Sequence, residues 1–115
     1  MSSSFSVVAT PLFRLSVKRL QGHLSSVYSS ELSEQTIAQI KTRIKNHLTG
    51  NPYIGAVSER LLALGITEYR QWSVDAHNLI FYSIDDNNQQ ILLLALMDSR
   101  QSIEKLLFEL MILTP

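Results

Sequence analysis

The sequence predicts an α+β fold in a single domain, residues 1–115: an N-terminal strand and an antiparallel helical hairpin packed on a twisted antiparallel sheet, with a C-terminal helix. Three observations predict it. Tyr69 to Arg100 reads as three consecutive strands joined by two short turns; two apolar stripes at helical spacing precede that stretch, and one follows it. A chain of 115 residues with 45% hydrophobic content builds one core and is too short for two ordinary domains.

Phe5 to Ala9 is a short β-favouring run after a Ser-rich start, expected as an edge strand with Met1 to Ser4 frayed. Thr10 and Pro11 then open a helix, because Thr caps well and Pro is tolerated at the first helical position. Phe13, Val17, Leu20, Leu24 and Val27 form one continuous apolar stripe, with Arg14, Lys18 and Gln21 off it. Gly22 interrupts that pattern at a cost of up to about 1 kcal/mol against Ala, which close packing against a neighbour would explain. Ser25 to Glu31 reads as a polar connection, and Ser33 as the cap of a second helix with Glu34 in its first turn. Ile37, Ile40, Ile44 and Leu48 make its apolar stripe. Lys41, Arg43, Lys45 and His47 crowd its C-terminal end, where positive charge suits the helix dipole, and Gly50, Asn51 and Pro52 stop it.

Pro52 to Gly55 reads as a turn, and Leu61, Leu62 and Leu64 as a helical turn before Gly65. Tyr69 to Val74 alternates large and polar residues with a period of two, as a half-buried strand does, and Asp75, Ala76 and His77 turn it into the next. Asn78 to Ile84 and Gln90 to Met97 form an antiparallel pair around Asp85, Asp86, Asn87 and Asn88, side chains that bond their own backbone and tolerate left-handed angles. Ser102 caps a last helix whose Ile103, Leu106, Leu107, Leu110 and Met111 give a broad apolar face, packed on the sheet or offered to a partner. There is no internal repeat, and no low-complexity segment beyond Ser2 to Ser4.

Composition excludes some chemistry. There is no cysteine, so disulfides and thiolate metal sites are absent. No basic segment followed by an apolar one opens the chain. The longest apolar run, Ile91 to Met97, is far below the roughly 20 residues that span a bilayer. A soluble, unprocessed, cytoplasmic protein without a membrane partner is expected. Formal net charge is zero, yet residues 1–50 hold six Lys/Arg against two Asp/Glu and residues 51–115 hold four against eight. The basic half suits an acidic partner or nucleic acid, but charge on two amphipathic helices also describes a solvated face.

His23, His47 and His77 sit in different elements without the spacing of a metal site, and no cofactor is expected. There is no Gly-x-Ser-x-Gly turn for a nucleophile and no Gly-rich phosphate loop. Asp85 and Asp86, adjacent in a turn, point apart and are explained by the turn. Arg100 follows an apolar strand and precedes a helix cap, so its guanidinium is expected at a sheet end, near the mouth of any concave face, or paired with Asp98 or Glu104. Arg70 and Trp72 share one face of the first meander strand, a pair that suits nucleic acid or a peptide unless the indole is core.

Four segments together resemble the RelE/ParE superfamily of bacterial toxins: VVATPLFRLSVKRL, NPYIGAVSERLLALGITEYRQWSV, HNLIFYSID and ILLLALMDSRQSIEKLL. The resemblance covers nearly the whole chain. It implies the toxin of a type II toxin–antitoxin system, chromosomal or plasmid-stabilising, held inactive by a cognate antitoxin. Members that cut ribosome-bound mRNA bind the scissile phosphate with basic side chains, without a metal; the resemblance places Arg70, His77 and Arg100 in that role. The middle-strand Arg of that pattern is here Asn78, with His77 in place of a Tyr, and the late Tyr position falls on Leu106. Asn carries no permanent charge and Leu transfers no proton. ParE-type members instead poison DNA gyrase by protein contact and need no catalytic set, so that activity is the expectation, although Met97 or Asp98 stands at the family's His. Arg70, Trp72, Arg100, Leu106 and Leu110 are the candidates to meet a partner; direct nucleic-acid binding stays open.

Overall fold

Thr10 ends a four-residue strand and begins the longest helix, and the way it does so places everything that follows. Its hydroxyl accepts from the Phe13 amide, and Pro11 sits at the first helical position. In the computed structural model, which describes residues 4–113 without the side chains of 111–113, the order is β1 (Ser6–Ala9), α1 (Pro11–Val27), α2 (Ser30–Arg43), β2 (Ala56–Val57), α3 (Glu59–Leu62), β3 (Arg70–Ser73), β4 (Asn78–Asp85), β5 (Gln90–Asp98) and α4 (Ile103–Leu113). The serine tract up to residue 3 and the Met111 side chain lie outside the described residues.

The sheet has five strands in the order β1-β5-β4-β3-β2. The predicted meander is present: β3, β4 and β5 pair antiparallel, with Arg70 opposite Tyr82 and Asn78 opposite Asp98. β1 is an edge strand as expected, but it runs parallel to β5, Ser6 beside Gln90 and Ala9 beside Leu93. The other edge, the two-residue β2, carries no alternation that sequence reading could detect. A bulge opposite Phe81 and Tyr82 lets Leu93 and Ala95 pair across it and leaves Leu94 unmatched. In the β4–β5 turn Asp85 accepts from the Asn88 backbone and side chain, which hold its carboxyl below the usual range, and Gln89 takes a φ of 51°.

The helical hairpin is tighter than predicted. α1 continues through Ser25 and Ser26 to Val27, and Ser29 caps α2 by accepting from the Leu32 amide. Ser33, expected as the cap, lies inside α2 and donates instead to the Gln21 carbonyl of α1. The stripe Ile37, Ile40, Ile44 and Leu48 is buried as predicted; its last turn widens to π-helical geometry, with the Thr49 amide on the Ile44 carbonyl. Gly22 is not the site of close packing that its position suggested: no atom comes within 4 Å of where a Cβ would stand.

Each face of the sheet has its own core. On one, Phe13 and the α2 stripe meet Ile80, Tyr82, Ile91, Leu93 and Leu96, with Trp72 half-buried beside them. On the other, Leu61 of α3 and Ile103, Leu106 and Leu110 of α4 meet Leu79, Phe81, Ala95 and Met97. Alternation along β4 explains the division, because successive side chains point to opposite faces. Among the described residues no helix is long and apolar enough to cross a membrane.

Candidate functional site

A cleft of about 1100 Å³ opens where the hairpin outruns the sheet. α1 touches β5 at Leu93 through Thr10 and at Leu96 through Ser16. β5 ends two residues later at Asp98, whereas α1 has eleven residues left after Ser16, about 16 Å at 1.5 Å per residue. The second half of the hairpin therefore projects past the strands and leaves its inner side uncovered. Val27, Tyr28 and Leu32 at the tip are 55%, 66% and 38% exposed.

Leu20 and Leu24 of α1, Leu32 of α2, Leu96 of β5 and Leu106 of α4 give the cleft apolar walls. Around them stand Arg19, His23, Arg43, His77 and Arg100, with Asp75 and Asp98 as the acidic groups. Most of these charges are already engaged. Arg19 pairs with Glu109 of α4. Arg43 donates to the Val74 carbonyl at 2.8 Å. Arg100 lays its Nε and Nη2 on the two oxygens of Asp98, both at 3.0 Å, and those bonds hold the Asp98 carboxyl below the usual carboxylate range. Asp75 accepts from the backbone amides of His77 and Asn78 and from the Asn78 side chain, shaping the β3–β4 turn.

The loop that presents Arg100 is braced from a distance. Arg60 of α3 donates to the Ser99 carbonyl at 2.8 Å and the Gln101 carbonyl at 3.2 Å, and the Ser99 amide donates to the His77 carbonyl at 2.8 Å. A second cavity of about 270 Å³ adjoins on the α4 side, where Lys105 joins Arg19 and Arg100. Nothing local to Arg60 or Arg43 marks these roles, since their partners lie 39 and 31 residues away.

His77 and Arg100 thus face one cleft, and both readings of Arg100 hold, at a cavity mouth and paired with Asp98. Arg70 does not join them. It stands opposite Tyr82, four residues along β4 from Asn78, about 13 Å at 3.3 Å per residue. Its Nε donates to the Gly55 carbonyl at 2.7 Å and its guanidinium lies 5.1 Å from the Tyr53 ring centre, a bond and a cation–π contact that tie the connector to the sheet. Trp72 packs against the hairpin core rather than into the cleft. Leu110, a candidate to meet a partner, is wholly enclosed in the core beneath α4, and Leu106 is 4% exposed, so neither stands out as a surface anchor. Asn78 is 6% exposed, its amide spent on Asp75, so the position where the resemblance expects a cation is interior.

Sheet order, hairpin and C-terminal helix together are the fold of the RelE/ParE superfamily of toxins. Two solved structures superpose on the chain over most of its length. One is the toxin–antitoxin complex RelBE2 from Mycobacterium tuberculosis, at a TM-score of 0.65 and 14% identity, covering 88% of this chain and 98% of that one. The other is a chromosomal ParDE toxin–antitoxin system from P. aeruginosa, at a TM-score of 0.66 and 14% identity, covering 83% and 96%. No protein-family model matches the sequence, and no curated protein matches it. At this identity the likeness establishes the fold.

Proposed function

We propose that the chain, as one domain spanning residues 1–115, is the toxin of a type II toxin–antitoxin pair, acting in the cytoplasm and neutralised by a cognate antitoxin. Its target in this reading is DNA gyrase, poisoned by protein contact in the manner of ParE-type members. The shared fold with the two toxin–antitoxin structures supports the pairing with an antitoxin. The observation that favours contact over RNA cleavage is the scatter of the basic set: Arg70 is bound to Gly55 about 13 Å along the sheet from the cleft, at the usual strand rise. Phosphate binding and proton transfer need convergent groups within hydrogen-bond reach of one reacting centre. Purified protein should inhibit gyrase supercoiling or accumulate cleaved DNA; an unaffected gyrase at concentrations well above those that arrest growth refutes the reading.

His77 and Arg100, which do share the cleft, favour a second reading as a ribosome-dependent mRNA endoribonuclease. It predicts codon-linked cleavage of transcripts, abolished by Arg100→Ala, and intact transcripts in arrested cells exclude it. Unchanged growth on expression without a partner would leave a binding module that keeps the fold alone.

A further inference from the structure

The cleft has two properties that together specify what fills it. Five leucines, Leu20, Leu24, Leu32, Leu96 and Leu106, line it, and at about 1100 Å³ it exceeds the roughly 300–1,000 Å³ of a small-ligand site. Its cations outnumber what its own carboxylates neutralise. Arg19 has Glu109 and Arg100 has Asp98, while Asp75 is committed to the turn at His77 and Asn78. Arg43 is left on the wall with a backbone carbonyl as partner and no carboxylate among the described residues within ion-pair distance. A guanidinium anchored by one nitrogen keeps donors directed at an incoming anion, and its planar fork matches a carboxylate.

We infer that this cleft receives an acidic amphipathic helix of a partner protein, its apolar face on the leucines and its carboxylates on Arg43 and the Arg100 rim. The proposal rests on the reading of a chain held by a protein partner and names that partner's chemistry. Helix-in-groove recognition uses apolar anchors at spacings of three and four residues, which the leucines of α1, α2, β5 and α4 accept from opposite sides. Single-stranded RNA would bring phosphates to the same cations, but its bases stack on aromatic side chains. The cleft holds Tyr28 at its mouth among the leucines, and Trp72 lies elsewhere.

The test uses the full chain and a fluorescein-labelled synthetic peptide of about 18 residues, a helix of roughly 27 Å, with leucines at helical spacing flanked by glutamates. Fluorescence anisotropy should show saturable binding that weakens with salt. Arg43→Glu should lower the affinity about tenfold or more. Leu32→Asp, at a position already 38% exposed, should do the same without disturbing the fold, as an unchanged melting temperature would show. The proposal is overturned if the peptide does not bind, if its lysine-flanked counterpart binds as well, or if both variants bind like the wild type. Displacement of the peptide by a single-stranded oligoribonucleotide makes the cleft an RNA site and overturns it too. Growth arrest is read separately: peptide binding without arrest removes the toxin reading and leaves the cleft assignment standing, and arrest without peptide binding does the reverse.

Discussion

Tyr82→Phe should lower the stability of this protein by about 3 kcal/mol, for the removal of one oxygen. The Tyr82 side chain is wholly buried; its hydroxyl donates to the Pro52 carbonyl at 2.6 Å and accepts from the Gly55 amide at 3.0 Å. Phenylalanine fills the same volume but loses both bonds and leaves two backbone groups of the connector without partners, each costing about 1–3 kcal/mol when water cannot reach it. An unfolding entropy of about 2.1 cal/mol/K per residue gives roughly 0.24 kcal/mol/K for 115 residues, so the melting temperature should fall by about 12 °C. Circular dichroism melts and urea titrations at constant slope measure it, and a melting temperature within about 2 °C of wild type refutes the argument. Gly55→Ala tests the same junction from the other side. A Cβ there would stand 2.5 Å from the Gln71 carbonyl oxygen and 2.7 Å from the Tyr82 hydroxyl, so the loss should persist in a Tyr82→Phe background, where only the second clash is relieved. The hydroxyl also sets a pH dependence. Burial raises the Tyr82 pKa above its ordinary 10.0, so its contribution is intact below that value and is lost as pH rises from there through the folded-state value. Tyr53, raised by its bond to Asp86, shifts in the same direction in both proteins, and the excess alkaline sensitivity of wild type over Tyr82→Phe reports Tyr82.

Gly22→Ala should stabilise the protein by up to about 1 kcal/mol, since the position is exposed, helical and open, and a denaturation midpoint at or below wild type would refute it. Leu110→Ala should cost about 2–5 kcal/mol, measured by urea unfolding, because the side chain is 0% exposed in the core under α4; a near-neutral change would return it to the surface. Arg100→Ala should leave the melting temperature within a few degrees, because the side chain is 84% exposed and a surface pair contributes little. Ser16→Ala should cost about 1–3 kcal/mol in the same unfolding assay by stranding the Leu96 amide, and an unchanged midpoint would show that water replaces the hydroxyl.

What was legible in the sequence is what residues decide within one or two turns of themselves. Thr10, Pro11 and Ser102 act where their chemistry predicts, Asp85 and Asn88 close their turn by mutual bonds, and the isoleucine stripe of α2 is buried throughout. The misplaced hairpin link has an equally local cause: several serines in a row each qualify as a cap. Ser29 takes that role because the stripe of α1 runs to Val27, and Ser33 then falls one turn into α2, facing α1. The cleft was illegible for a different reason. Its charges are positioned by Arg43 reaching Val74, Arg60 reaching Ser99 and Arg19 reaching Glu109, pairings across elements that no spacing announces. Arg70 and Arg100 looked like parts of one site because both are arginines near strand ends. The register puts them at different places along the sheet.

The cleft itself follows from the shortness of β1. Four residues pair with Gln90 to Leu93 and no further, so β5 from Leu93 onward has an outer edge whose backbone groups need partners. α1 supplies them with hydroxyls. Thr10 donates to the Leu93 carbonyl at 2.7 Å, and Ser16, six residues on, accepts from the Leu96 amide at 2.9 Å while donating to the Phe13 carbonyl at 2.6 Å. Two fixed points along one helix determine its direction, and that direction carries α1 beyond Asp98, where no strand remains to cover it. Had β1 continued beside β5 to its end, the edge would have been paired by backbone and the helix would have started beyond it, with no overhang facing the Arg100 loop. The same two hydroxyls that satisfy an unpaired strand edge therefore hold open the cleft in which His77, Arg43 and Arg100 meet.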